Sequence, residues 1–569
     1  MTTEPDLIII NGALISFDAD SASTTALAIT GQKISALGQD AEMLALAGQE
    51  TRIFDAQGAT VMPGFIDSHV HLFGGSVELG YLDLTEVAGL NALTTAIAPY
   101  ATENPGDAIV FAVGADYAIL SEDRTPTRHD LDLACPHRPF AMIAPDHHTV
   151  WANTEALDRT GLLRGGKTEA GSLIVLGEDG LATGELREFG AFGPIVNLTR
   201  HGGRDLAGLV SGADPKPAPT ASERQKDKAV LAKGLKHCAA QGITGLHCMD
   251  GNFYQLDLLT EMEGEGTLAC RVAVPFHLKS FDPLERLSEA AEMNARYKGD
   301  MVYSGYVKMF IDGVVEGCTA LMLDPYPGTE DTYGDAVFQA DHFNEACRRI
   351  DAMGLQIAVH AIGDAGVRRT LDGLEAARVA NGARDSRHRV EHLEVVHPDD
   401  IPRVAALGAV ASIQPGHAAF GGIFAPTNAE KHLHDHQIAT VFPWSQLRDS
   451  GAPIIFNTDW PVIGIEVMRN IKAAIAPLDL GPRWVDQTQS LMDTLASYTR
   501  DAAWAEFSED TKGRLRRGML ADVVVLSHDL TALPPDRITE ASAKLTICNG
   551  RITYEVGEGF VAAGNSREN

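Results

Sequence analysis

Basic residues are scarce in this chain: 46 Lys plus Arg stand against 77 Asp plus Glu among 569 residues, a formal net charge of −31. A field of that sign repels phosphate backbones and anionic lipid surfaces, so nucleic-acid binding and peripheral membrane attachment are disfavoured. Cysteine is sparse too. The seven cysteines, at 135, 238, 248, 270, 318, 347 and 548, form no C-x-x-C pair and are odd in number, which argues against a disulfide framework and for free thiols in a reducing compartment. The start, MTTEPDLIIINGALISFD, lacks the basic stretch of a secretory signal, and its apolar run is too short to span a bilayer. A cytoplasmic protein is expected. No G-x-G-x-x-G follows a first strand, which leaves a dinucleotide-binding sheet without support. Disorder and low complexity do not fit 45% hydrophobic and 22% charged residues.

What is present has two textures. Residues 6 to 55 read as short strands broken by turns (DLIIINGALISFD, ALAITGQKISALG, TRIFDAQG), and 519 to 556 repeat the pattern (MLADVVVLSHDL, AKLTICNGRITYE). Short strands cannot bury their faces alone, so 1–60 and 515–569 are expected to form one small β-sandwich, with two separate hairpins as the alternative. Between them, 61–514 alternates strand and helix. The strand candidates are 59–67, 243–248, 270–278, 303–312, 355–363, 388–396, 409–415 and 452–459, mostly near-continuous apolar runs of the kind buried on both faces of a parallel sheet. The expected fold class is therefore α/β, a (β/α)8 TIM barrel, with an open doubly wound sheet as the alternative. About 170 residues, 72–242, separate the first two strands. That is far beyond an ordinary loop and reads as an insert or lid on the side where barrel active sites lie.

The sharpest motif is MPGFIDSHVHL, in which His69 and His71 follow an apolar strand. Residues i and i+2 of a strand share a face, so both imidazoles aim at one point. His360 ends the fifth strand candidate, His392 lies in the sixth and Asp459 ends the eighth. All of these converge on the mouth of a barrel, and four imidazoles with a carboxylate suit Zn or a similar divalent ion. Lys308 sits inside the apolar strand YVKMFIDG, where an ammonium is costly unless paired or modified. A salt bridge to Asp312 or Glu316 is one reading, and carbamylation by CO2 to a metal-bridging carboxylate is the other.

The strings MPGFIDSHVHL, DHHTVWANTEAL, ATGELREF, VKMFIDGVVEGCTALMLDPY, VHAIGDAGV, RHRVEHLEVVHPDDIPR, SIQPGHA, NTDWPV and KGRLRRGMLADVVVL span nearly the whole chain. They resemble the metal-dependent amidohydrolase superfamily, in its N-substituted formamide deformylase-like branch (amidohydrolase family 3). The resemblance implies His69, His71 and Asp459 as ligands of a first metal, His360 and His392 of a second, and Lys308 as a bridging carbamylated lysine. It also implies Asp459 as the group that takes a proton from the attacking water and hands it to the leaving group. The substrate would be a small molecule with an amide, N-substituted formamide or cyclic amide bond, and one or two ions would bind. Deaminase or lactone/ester hydrolase chemistry on the same site is the alternative, and a non-catalytic regulatory relative the third reading. His148, Trp151, Gln414 and Trp460 are candidates for substrate binding, and His417 for a place at the mouth. Asp364 is read either as orienting a ligand histidine or as a helix N-cap. A homodimer is left open.

Overall fold

The computed structural model describes residues 4–19, 24–121, 124–145, 147–168, 172–423, 430–557 and 559–561. Asp146 and residues 562–569, parts of segments singled out above, lie outside them.

The chain is α/β, as expected. Eight parallel strands pair in sequence order: β1 (Phe65–Val70), β2 (Ile243–Cys248), β3 (Arg271–Ala273 resuming as Phe276–His277), β4 (Tyr306–Phe310), β5 (Gln356–Ala361), β6 (Arg389–His392), β7 (Val410–Ile413) and β8 (Ile454–Phe456). Beyond β8 the chain returns to β1, where the Asp459 N–H donates to the His69 carbonyl (2.8 Å) and the His71 N–H to the Trp460 carbonyl (2.7 Å). The β1, β2, β5, β6 and β7 strands are buried at every residue, so none shows the polar/apolar alternation of a half-exposed strand, and the polar side chains of β1 and β6 are enclosed with the rest.

The strands are shorter than the apolar runs suggest, for local reasons. The expected strand 59–67 is two elements, Thr60–Pro63 in a different sheet and then β1. They part at Gly64, where a Cβ would lie 2.2 Å from Thr244 Cγ2. In β3 the break includes Pro275, which has no N–H for the ladder. β6 stops at His392 because His392 (φ 78°) and Leu393 (φ 52°) enter the left-handed region.

Both ends of the chain contribute to each of two five-stranded sheets. One contains Phe560–Val561, Arg52–Asp55, Leu7–Ile10, Ala26–Thr30 and Lys33–Gly38; the other contains Ala13–Leu14, Thr60–Pro63, Val523–Leu526, Ala543–Cys548 and Arg551–Glu555. Leu7, Ile9 and Leu27 of the first share one apolar core with Val61, Val523, Val525 and Leu545 of the second. Val523–Leu526 pairs directly with Thr60–Pro63, antiparallel.

By internal contacts the chain divides into two units, one made of 1–71, 235–460 and 464–569, the other of 72–234 with 461–463. The second holds a mixed six-stranded sheet in the order Leu173–Leu176, Ala182–Arg187, Thr149–Ala152, Phe140–Ile143, Val110–Val113, Leu82–Asp83. Successive strand residues alternate between two apolar clusters, Phe111, Ala141 and Val150 in one and Val110, Phe140 and Trp151 in the other. This long segment thus has a core on each face of its own sheet. None of the seven cysteines is in a disulfide, and six of them are buried. Among the described residues no helix is long and apolar enough to cross a membrane.

Candidate metal centre

The period of two along β1 places Asp67, His69 and His71 on one side of the strand. His69 Nε2 and His71 Nε2 lie 3.3 and 3.4 Å from Asp459 Oδ1. Asp459 stands just beyond β8 with φ 61°, a left-handed conformation that costs a non-glycine residue about 1–3 kcal/mol and persists only where surroundings enforce it. Here Asp67 enforces it: its carboxylate accepts the Thr458 N–H (3.1 Å) and Thr458 Oγ1–H (2.6 Å), fixing the residue before Asp459. His69, His71 and Asp459 form a cluster whose ligand atoms all lie within 4.8 Å of one another.

Each of the four expected histidines has one ring nitrogen tethered to an oxygen. His69 Nδ1 meets Glu391 Oε2 (2.8 Å), His71 Nδ1 meets Asp250 Oδ1 (2.8 Å), His392 Nδ1 meets Gln414 Oε1 (3.0 Å) and His360 Nε2 meets the Gly313 carbonyl (3.2 Å). Carbonyl and carboxylate oxygens accept, so the tethered nitrogen carries a proton and, in a neutral ring, the other offers a lone pair. The rings are close, with centroids 4.8 Å apart for His69 and His392 and 4.4 Å for His360 and His392. Lys308 is fully buried and its Nζ has no hydrogen-bond partner; it lies 4.6 Å from the centre of the Phe310 ring. Asp312 does not pair with it, accepting instead the N–H groups of Leu321, Ile362 and Gly363. A buried carboxylate oxygen and a buried amine without hydrogen bonds, among four oriented imidazoles, are a donor set that fits a divalent cation.

Charge follows from burial and neighbours. Burial pushes His69 down to about 4 and His360 to about 3, and His392 well below the usual range, so these rings are neutral at pH 7, the form a cation needs. His71 goes up to about 9, because Asp250 and Asp459 outweigh its burial. Burial brings Lys308 down to about 8, which makes its neutral, nucleophilic amine accessible. Asp459 is held far below the ordinary carboxylate range despite burial, chiefly by His69 and His71.

The remaining candidates fall elsewhere. Gln414 is fully buried beside His392, which its Oε1 contacts, while its Nε2 donates to Asn457 Oδ1 (2.5 Å). Trp460 is buried with its ring 5.9 Å from that of His237. Asp364 touches no ligand histidine; it accepts the Leu323 N–H (2.7 Å) and Gln437 Nε2–H (3.2 Å), while Gly363 occupies the N-cap position. His417 is drawn in, with Nε2 3.9 Å from Asp459 Oδ2 and Nδ1 3.9 Å from Glu394 Oε1. His392, Glu394 and His417 form a second cluster able to hold a cation. Cys318 lies 3.5 Å from His432 Nδ1. In the second unit, half-exposed His148 meets both oxygens of Glu188 at 3.1 Å, and Trp151 is wholly buried in the apolar core, with no surface to offer a ligand as it stands. Sequence reasoning missed Asp67, Asp250, Glu391 and Glu394. Asp67 shares the period of His69 and His71 and could have been found; the other three have no spacing signal.

A profile described as an amidohydrolase family matches residues 52–554. The chain is 27% identical to YtcJ of Bacillus subtilis (strain 168) over 519 residues, covering 89% of this chain and 91% of that one. It is 24% identical to the N-substituted formamide deformylase of Arthrobacter pascens over 571 residues, covering 98% and 99%. Among solved structures, an uncharacterized metal-dependent hydrolase from Pyrococcus furiosus matches with TM-score 0.68 and 25% identity over 91% of this chain and 98% of that one.

Proposed function

Given that the chain belongs to the amidohydrolase family, a metal-dependent hydrolase acting on C–N bonds other than peptide bonds, we propose that it cleaves an N-substituted formamide or a cyclic amide with Asp459 as the proton carrier. The observation that carries this is the tethering of four histidines by four separate acceptors around an Asp459 oxygen that makes no hydrogen bond. In this reading the ring of strands is a (β/α)8 barrel with a sandwich built by both chain ends.

His69, His71 and Asp459 would hold one divalent ion, preferably zinc, and His360 and His392 a second, with Lys308 adding a carboxylate ligand once its neutral amine takes up CO2 and releases a proton. Such an ion lowers the pKa of water to about 7 and polarises a carbonyl. The chain's own residues do the rest. Asp459, anionic and beside His69 and His71, would accept a proton from the attacking water and return it to a departing amine. Trp460, directly after Asp459 in the chain, would be the apolar contact to the substrate. The substrate class follows the Arthrobacter relative, and the test is a hydrolysis screen of the zinc-loaded protein against N-substituted formamides, cyclic amides, lactones and aminopurines. Turnover confined to the first two classes is expected. Turnover of aminopurines or lactones alone would replace this reading, and an inert, fully metallated protein would reject it.

A further inference from the structure

The carboxylate that tethers His69 is itself tied into a longer chain of buried charged groups whose other members the chemistry above does not use. On β6, Arg389 and Glu391 are two residues apart and both fully buried. Glu391 Oε1 pairs with Arg389 Nε at 2.7 Å, and Oε2 receives Arg389 Nη2 (3.2 Å) beside His69 Nδ1 (2.8 Å). Arg389 Nη1 lies 2.9 Å from Nδ1 of His247 on β2, and His247 Nε2 lies 2.8 Å from Glu506 Oε2. Glu506 follows the helix Arg500–Ala505 and is neutralised by Lys512 at 2.6 Å. Tyr303 also donates its hydroxyl to Glu506.

The donors fix every direction in this chain. A guanidinium can only donate, so His247 Nδ1 must accept and its proton must sit on Nε2, facing Glu506. Arg389 likewise keeps Glu391 an acceptor, because a protonated Glu391 would leave a buried cation without its counterion. An ionised Glu391 can then only receive the His69 Nδ1–H.

We propose that Glu391 and Arg389 are positioning residues that hold His69 in its Nδ1–H tautomer and aim Nε2 at the cation, with His247 and Glu506 anchoring Arg389 from below. This rests on His69 being a metal ligand, as read above. Removing such a partner of a ligand histidine weakens metal binding about 10–100-fold.

Two measurements test it on the full-length protein. Histidine 15N spectra of the metal-free wild type, assigned by single substitutions, are expected to show His69 protonated at Nδ1 and His247 at Nε2; the opposite tautomer at either ring overturns the proposal, whatever the metal does. Zinc affinity by chelator competition is expected to fall about 10–100-fold in Glu391→Gln and Arg389→Met, to recover in part in Arg389→Lys, and to fall little further when Arg389→Met is added to Glu391→Gln. Folded variants with wild-type zinc affinity, or fully additive losses, overturn it. A role in packing alone would lower the melting temperature and leave zinc affinity per folded molecule unchanged. Should those variants not fold, Glu506→Gln, two links away, is expected to weaken zinc binding by a smaller factor, and wild-type affinity there overturns the anchoring. A wild type that binds no zinc but shows both expected tautomers fails the metal reading and leaves the positioning intact.

Discussion

Asp459 combines a strained backbone, an ion-paired carboxylate and one oxygen without a hydrogen bond. Asp459→Asn keeps the shape and removes the charge, so turnover is expected to fall about 10²–10⁴-fold with the fold intact; kcat and circular dichroism together check this. Lys308→Met tests the buried amine. If it carries a bridging carbamate, bound metal falls by roughly one ion per chain and activity falls with it; elemental analysis showing undiminished metal would reject the bridge. At this scale the sequence discloses side chains that a strand's period aligns. His69 and His71 are legible because two positions share a face, and the apolar runs announce which strand ends carry His360, His392 and Asp459. Their partners are not legible. Glu391 meets His69 across 322 residues and Asp250 meets His71 across 179, and nothing local distinguishes these acids from others.

Strand ends and the segments after them carry the heaviest electrostatic load. Arg271, opening β3, pairs through Nε and Nη2 with Asp522 (2.7 and 3.0 Å), both side chains nearly inaccessible, and so ties β3 to the segment that opens the Val523–Leu526 strand. Asp522→Ala strands the guanidinium, and a loss of about 3–5 kcal/mol in denaturant unfolding is expected. On the β5–β6 side, Asp351 at the end of the helix Ala340–Ala352 gathers His388, Asn381 and Arg384. Burial opposes its charge, but these partners hold its carboxyl well below the ordinary range, while burial pushes His388 down. Both shifts act in one direction, since the unfolded chain binds more protons than the folded one in acid. The stabilisation is complete above about pH 6.5, where an unfolded histidine is neutral, and drains away as pH falls, first through His388 and then below about pH 4 through Asp351. Asp351→Asn is expected to flatten the lower part of that decline in melting temperature against pH; an unchanged acid limb would show that the carboxyl is not responsible. Element boundaries were the least legible feature. The apolar runs mark where strands lie, but Gly64, Pro275 and the left-handed pair His392–Leu393 decide where they stop.

For the whole molecule, the charge of −31 finds only a minor part of its acid in the centre, where Asp67, Asp250, Glu391 and Asp459 are buried among histidines, backbone N–H groups and Arg389. A cation among them would be linked to folding. Zinc held a hundredfold above its dissociation constant is expected to add about 2.7 kcal/mol of stability, lost on chelation. A melting temperature indifferent to chelator would argue against a cation at this centre. The composite sheets carry a consequence in time. The Leu530 N–H reaches Thr60 Oγ1 across 470 residues, and Val523–Leu526 is the neighbour that Thr60–Pro63 needs on one edge. At the usual 5–20 residues per second of synthesis, the early strand waits roughly 25–95 s for its partner. Throughout that interval Val61 and Met62, buried in the finished protein, have no cover from the late strands. The nascent chain therefore presents an unfinished sheet edge for most of its synthesis, a window for chaperone capture or for mispairing with another copy.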